Sequence, residues 1–272
     1  MNESLSLSLS RSLFPVTSSS RVAFSCSSKY HHDTTYLPTN LPTYHCDQST
    51  SGIGPEGGVA LAEMLVVNHV IEELDLYDTA IGDVGATAII AVTGRSTLRL
   101  LDIGKCGATH LSAVQLAAAL VAVPSPPLEF VGLSDNELGS EGAAAVAGAV
   151  ASSTVLKRLD MAGVGADDTT ARLFGFALAQ PGVVLEQLLL KKNGITDVGG
   201  VKIAKGLNER LAKPGHSETE RSTLIELDLK NNFVGDQTVF ALAKVLTDLP
   251  NNTLAKLRLD VNPEITNRGA HS

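Results

Sequence analysis

The sequence repeats itself about every 28 residues, and this periodicity constrains the fold more than any other feature. The plainest copies begin at Ile71, Leu128, Leu185 and Leu224. Each follows the pattern LxxLxLxxN, then a turn containing Gly, then a stretch rich in Ala or Gly. Weaker copies begin at Leu98, Leu156 and Leu254, and a half copy begins at Ser51. Such a pattern rests on position-specific apolar residues rather than on composition.

The Asn of the pattern marks the register of the repeat. The mark falls at Ser51, Thr79, Cys106, Asn136, Val164, Asn193, Asn232 and Asn262. The steps between marks are 28, 27, 30, 28, 29, 39 and 30 residues, and the long step contains the polar segment 213–222. A period that holds over seven steps predicts one repeat domain over residues 51–272, with a loop insert at 213–222.

Each repeat has the pattern of a short strand followed by a helix. Leu74 and Leu76 alternate with polar residues, so a strand would place both on one face. Apolar residues then recur at the spacing of one helix face, as at Ala143, Val146 and Val150. The strands are predicted to centre on Leu74, Leu101, Val131, Leu159, Leu188, Leu227 and Leu257.

The side chain at the register mark can bond backbone groups of the turn that would otherwise be buried unpaired. Cys106 and Val164 lack the amide group of Asn, so we expect looser turns at these two marks. A single repeat cannot bury its own apolar face, and neighbouring repeats must therefore stack. The expected fold is an α/β solenoid with parallel strands on the concave face and helices on the convex face.

The LxxLxLxxN pattern and the turn that follows it resemble the leucine-rich repeat superfamily, in particular its long ribonuclease-inhibitor-type repeats. The resemblance covers about residues 51–269. Because no catalytic motif stands out and the strand face is large and open, we expect a noncatalytic interaction module that binds a protein partner on the concave face. Ran GTPase-activating proteins and the repeat regions of immune receptors are similar. A GTPase-activating regulator of a Ran-like GTPase, or a fragment of an immune-type receptor, therefore stays open as an alternative.

Composition and charge argue against several classes of function. The net charge of −8 and the absence of Trp disfavour a general nucleic-acid binder. Three scattered Cys do not make a disulfide framework, and no apolar run approaches the ~20 residues of a membrane span. The repeat turn accounts for the GxGxxG match at Gly52. We expect a monomer that is not an enzyme and that needs no cofactor or metal.

The predicted partner-binding residues lie on the concave strand positions, with acids early in the chain and cations late. They are Asp75, Tyr77, Asp78, Leu100, Asp102, Phe130, Asp160, Leu189, Lys191, Lys192, Asp228, Lys230 and Arg258. Residues 51–164 carry a net charge of −8, whereas the net charge of residues 165–272 is zero. The aspartates at one strand position form a column interrupted at Gly132 and Leu189, which we interpret as a solvated face.

Residues 1–50 differ in composition from the repeats. Residues 1–30 contain eleven Ser and a single acid, Glu3. This composition is typical of a disordered tail or of an organellar transit peptide. We expect a cytoplasmic protein, or a plastid or mitochondrial one if residues 1–30 are a transit peptide.

Overall fold

A computed structural model describes residues 24–25, 44–45, 52–212, 223–248 and 253–266. Two short strands near the N-terminus, β1 (Phe24–Ser25) and β2 (Tyr44–His45), pair in parallel. Apart from these strands, the predicted N-terminal segment 1–50 lies outside the described residues, and so does the predicted insert 213–222.

Strands and helices alternate through the rest of the described chain. The strands are β3 (Glu73–Asp75), β4 (Leu100–Asp102), β5 (Phe130–Gly132), β6 (Arg158–Asp160), β7 (Gln187–Leu189), β8 (Glu226–Asp228) and β9 (Lys256–Arg258). The helices are α1 (Pro55–Val67), α2 (Gly82–Val92), α3 (His110–Val121), α4 (Gly139–Val150), α5 (Asp168–Leu178), α6 (Asp197–Ala212) and α7 (Asp236–Asp248). A short 3₁₀ turn, Thr93–Arg95, follows α2.

Strands β3 to β9 form one parallel sheet in which the strand order follows the chain order. The central Leu or Val of each strand pairs with that of the next, beginning with Leu74 and Leu101. This confirms the parallel solenoid and all seven predicted strand centres.

The core lies between the sheet and the helices. Leu74 and Leu76 of the first complete repeat are at most 1% exposed, and the corresponding residues of the next five repeats are equally buried. Ala143, Val146 and Val150, predicted to share one helix face, are also at most 1% exposed. No described helix covers the other face of the sheet, which we call the concave face.

The side chain at the register mark bonds two repeats at once. Asn136 Oδ1 accepts the amides of Cys106 and Ala108 at 3.1 and 3.0 Å, and its Nδ2 donates to Ile103 and Leu133. Asn193 accepts the amide of Val164 in the same way. The Asn of the following repeat therefore bonds the turns at Cys106 and Val164, and the expectation that these turns are looser stays a prediction.

Candidate protein-binding surface

Three columns of side chains run across the concave face, because residues two apart on a strand point to the same side. The first column, at the start of each strand, is Glu73, Leu100, Phe130, Arg158, Gln187, Glu226 and Lys256. The second, at its end, is Asp75, Asp102, Gly132, Asp160, Leu189, Asp228 and Arg258. The third, two residues later, is Tyr77, Gly104, Ser134, Ala162, Lys191, Lys230 and Asp260.

These columns bring together eleven of the thirteen predicted partner-binding residues. The other two, Asp78 and Lys192, lie one residue beyond the third column, where the backbone turns with φ of 60° and 59°. The geometry thus places the predicted residues on one surface. Their role in binding stays a prediction.

The aspartates of the second column close the ends of their strands. The Oδ1 atom of Asp75 accepts the amide two residues later, that of Tyr77, at 2.9 Å. Asp102, Asp160 and Asp228 make the same bond at 2.8 to 3.0 Å. Asp160 is 7% exposed and Asp228 is 2% exposed. The interpretation of this column as a solvated face is therefore wrong for Asp160 and Asp228, which offer a partner little contact area.

The predicted apolar anchors are half-buried rather than fully exposed. The ring of Tyr77 extends over the next strand, where a Cβ on Gly104 would lie 2.7 Å from its Cδ2 atom. The guanidinium group of Arg158 lies 4.8 Å from the centre of the Phe130 ring, within range of a cation–π contact. Sequence reasoning missed Arg158. Alignment of the repeats on their marks would have found it, because Phe130 and Arg158 occupy the same repeat position.

Several late cations are already neutralised by acids of the same chain. Lys192 Nζ lies 2.9 Å from Asp135, and Lys230 Nζ lies 2.5 Å from Asp260. Arg258 lies 3.5 Å from Oδ2 of Asp228. The division into an acidic and a basic half is therefore weaker than the residue counts indicate, and the acidic early half is its better-defined part.

An ion-pair ladder runs beside the first column, seven residues before each register mark. Glu72, Arg99, Glu129 and Lys157 alternate in charge from one repeat to the next. Arg99 Nε donates to Glu129 at 2.7 Å, and Lys157 Nζ lies 2.8 Å from the same carboxylate. Because these pairs are solvent-exposed, we expect each to add at most about 1 kcal/mol to stability.

The described residues contain no group of three His, Cys, Asp or Glu side chains that could hold a metal ion. Cys106 is buried, and this burial raises the pKa of its thiol to about 11, so it is a poor nucleophile at neutral pH. In the same part of the chain, no helix has the length and apolar character needed to cross a membrane.

The repeat pattern, the single parallel sheet and the Asn-bonded turns are those of leucine-rich repeats of the ribonuclease-inhibitor type. The family model described as "Leucine Rich repeat" matches residues 67–89, 125–147 and 184–204. The chain is 29% identical to a ribonuclease inhibitor of Sus scrofa over 181 residues, and 26% identical to one of Mus musculus. Each alignment covers 66% of this chain, which spans 37% of the length of either relative.

A solved structure of leiomodin-1 actin-binding site 2 is also similar, with a TM-score of 0.44 and 23% sequence identity. That similarity covers 54% of this chain and 77% of the leiomodin chain.

Proposed function

We propose that this protein is a noncatalytic interaction module that holds a protein partner on its concave face. The observation that carries the proposal is a seven-stranded sheet face that the described helices leave uncovered. Half-buried Tyr77, Leu100, Phe130 and Leu189 lie on this face among carboxylates. Aromatic side chains in such settings often contribute most of the binding energy of an interface.

The proposed partner is a basic protein. The net charge of the chain is −8, and the acids concentrate in the first repeats of the sheet. Charge of one sign on an open face speeds association with a partner of the opposite sign. The curated relatives are named ribonuclease inhibitors, which makes a ribonuclease the first partner to test.

The test is surface plasmon resonance with the full chain immobilised and a pancreatic ribonuclease in solution. Phe130→Ala removes an aromatic ring from the concave face. Phe176→Ala is the matched control, because Phe176 lies on helix α5 and is 60% exposed. We expect Phe130→Ala to raise the off-rate about tenfold, the size of a 1.4 kcal/mol contact, and Phe176→Ala to leave it unchanged.

Each outcome bears on a different part of the proposal. If the ribonuclease does not bind at micromolar concentration, that choice of partner is wrong. The proteins that cross-link to the wild-type chain in cells are then compared with those that cross-link to each of the two variants. If Phe176→Ala abolishes binding while Phe130→Ala does not, the helical face binds the partner and the concave assignment is wrong.

A further inference from the structure

Asp102 has an unusual position in the second column of the concave face. On one side it pairs in register with another carboxylate, Asp75 of β3, and adjacent strands lie about 4.8 Å apart. On the other side its partner is Gly132, which has no side chain. The Asp102 carboxylate occupies that space, because a Cβ on Gly132 would lie 2.5 Å from its Oδ1 and 2.8 Å from its Oδ2. Asp160 follows on the next strand, β6.

Little compensates the charge of Asp102. The Gly104 amide donates to its Oδ1 at 2.8 Å, and within the described ranges no Lys or Arg lies within ion-pair distance of it. Asp228 in the same column differs, because Arg258 lies 3.5 Å from its Oδ2. The cation near Asp102 is Arg158 of β6, whose guanidinium group lies over the Phe130 ring.

The charged and titratable groups that surround Asp102 are mostly negative. Asp75 faces it from β3, and the phenol of Tyr77 follows on the same segment. Asp160 and Arg158 face it from β6, and the intervening β5 contributes the uncharged Phe130, Val131 and Gly132. On its own segment, the next ionisable groups are Lys105, which pairs with Asp78, and the buried Cys106. The Asp102 carboxylate therefore has two negative neighbours, Asp75 and Asp160. The guanidinium group of Arg158 lies over the Phe130 ring and does not form an ion pair with Asp102.

These surroundings favour the neutral acid. Burial, and next the charge of Asp75, raise the pKa of Asp102 to about 7, against the opposing hydrogen bond from Gly104. Asp160 raises the pKa further, and Arg158 lowers it. Burial also raises the pKa of Asp75. Two close carboxylates titrate as a pair, and the first proton that binds to the pair is bound more tightly than the second.

We propose that Asp102, whose carboxylate lies between Asp75 and the space at Gly132 with no paired cation among the described residues, is a protonation switch that sets the charge of the concave face, and that a basic partner prefers the ionised form. The part concerning the partner rests on the proposed function. A cation placed over the column stabilises the ionised carboxylate, so its binding releases a proton. If only the ionised form binds, apparent affinity scales with the ionised fraction and rises about tenfold between pH 6 and 8.

The first experiment needs no partner. Side-chain carboxyl carbons are followed by NMR from pH 4 to 9 in the full chain labelled with ¹³C-aspartate, and Asp102→Asn identifies the resonance. We expect a midpoint near 7. Asp75→Asn leaves the Asp102 carboxyl in place and removes its negative neighbour, so the midpoint should fall. Asp228→Asn, in the same column, should leave it unchanged. A midpoint below 5 overturns the switch, whatever the protein binds.

The second experiment measures the coupling to binding. The probe is an acetylated and amidated nonaarginine peptide, which has no group that titrates between pH 6 and 8. Wild-type affinity should rise several-fold over this range, whereas Asp102→Asn should bind with no such dependence. Equal affinities of the wild type at pH 6 and 8 overturn the coupling. If the midpoint of Asp102 lies near 7 but the peptide does not bind at any pH, the titration of Asp102 is confirmed and the preference for a basic partner is wrong. If ribonuclease binding fails while both experiments succeed, the switch stands and the choice of partner is wrong.

Discussion

Asp197, the first residue of α6, accepts two hydrogen bonds from Thr238 in the following repeat, at 2.9 Å from its amide and 2.6 Å from its hydroxyl. It also accepts the amide of Gly235 at 2.7 Å. The same arrangement recurs where Asp83 accepts from Thr109 and Ser112 and where Asp168 accepts from Thr196 and Gly199. The start of one helix is thereby joined to the start of the next.

The first prediction is that Asp197→Ala lowers the free energy of unfolding by about 2 to 3 kcal/mol at pH 7, as expected for loss of hydrogen bonds to a charged group. Burial raises the pKa of Asp197, but the bonds from Thr238 and Gly235 outweigh this and lower it. The folded state thus binds the proton more weakly than the unfolded chain. The stabilisation is complete above the ordinary Asp value and is lost as pH falls through the lowered one.

Urea unfolding of wild type and variant between pH 2 and 7 measures this difference. Glu209→Ala is the control, because Glu209 lies on the same helix and makes an exposed pair with Lys205 at 3.5 Å. We expect the control to change stability by less than about 0.5 kcal/mol. Equal effects of the two substitutions at pH 7 would contradict the role of the helix-start bonds.

The second prediction concerns the close approach of α5 and α6. A Cβ on Gly206 would lie 1.9 Å from the carbonyl oxygen of Gly175, so Gly206→Ala must push two helices apart. We expect a loss of about 1 to 3 kcal/mol, as for overpacking of a core. A Cβ on Gly148 in α4 would have no neighbour within 4 Å, so Gly148→Ala should gain about 0.5 to 1 kcal/mol from helix propensity. Thermal unfolding measures the change in stability of each variant, and changes of the same sign would disprove the packing argument.

The third prediction separates the two halves of the Asn136 amide. Asn136→Ala should cost about 2 to 4 kcal/mol, because it leaves buried amides of Cys106 and Ala108 unpaired together with two carbonyls. Asn136→Asp keeps the acceptor, but its charged form would face the carbonyl oxygens of Ile103 and Leu133. Its loss should therefore shrink as pH falls and the carboxyl gains a proton. Denaturant titrations at pH 4 and 7 test this, and a pH-independent loss is the contrary result.

The fourth prediction uses the residue before each register mark, where six non-glycine residues have positive φ. Val261 has φ of 60° although it is β-branched, and Asn231 has φ of 54° at the equivalent position. A β-branched residue is disfavoured in this region by about 1 to 2 kcal/mol. Val261→Asn should therefore stabilise the protein by about 1 kcal/mol, and Asn231→Val should destabilise it by a similar amount. Both melting temperatures shifting in one direction would rule out this explanation.

The fifth prediction is the effect of Asp102 on stability. Its pKa of about 7 in the folded protein lies above the ordinary Asp value of 3.8, so folding takes up a proton between these values. The stabilisation from this proton is complete below the ordinary value and is lost as pH rises through 7. Asp102→Asn, which keeps the shape of the neutral acid, should thus become progressively more stable than wild type from pH 4 to 8. A constant difference across this range would show that Asp102 is ionised throughout.

Repeat stacking was predictable from particular residues of the sequence. Leu74 and its counterparts recur at a fixed distance before each mark, and a sheet that pairs each repeat with the next buries those of strands β3 to β8. The burial of Val146 likewise follows from helical spacing within one repeat. These features depend on residues close in the chain, whose geometry is set by the periods of strand and helix.

The environment of several polar side chains depended instead on the neighbouring repeat. The turn at Cys106 is bonded by Asn136, 30 residues later, and Asp197 bonds Thr238, 41 residues later. The sequence by itself determined the repeat, the strand centres and the set of residues on the concave face. Only the tertiary structure decided that Arg258 pairs with Asp228, whereas the guanidinium group of Arg158 lies over the Phe130 ring and Asp102 has no matching cation in the described part of the chain. The physical reason is that hydrogen bonds and charge interactions act over a few ångströms, so their partners are known only when the repeats are stacked in register.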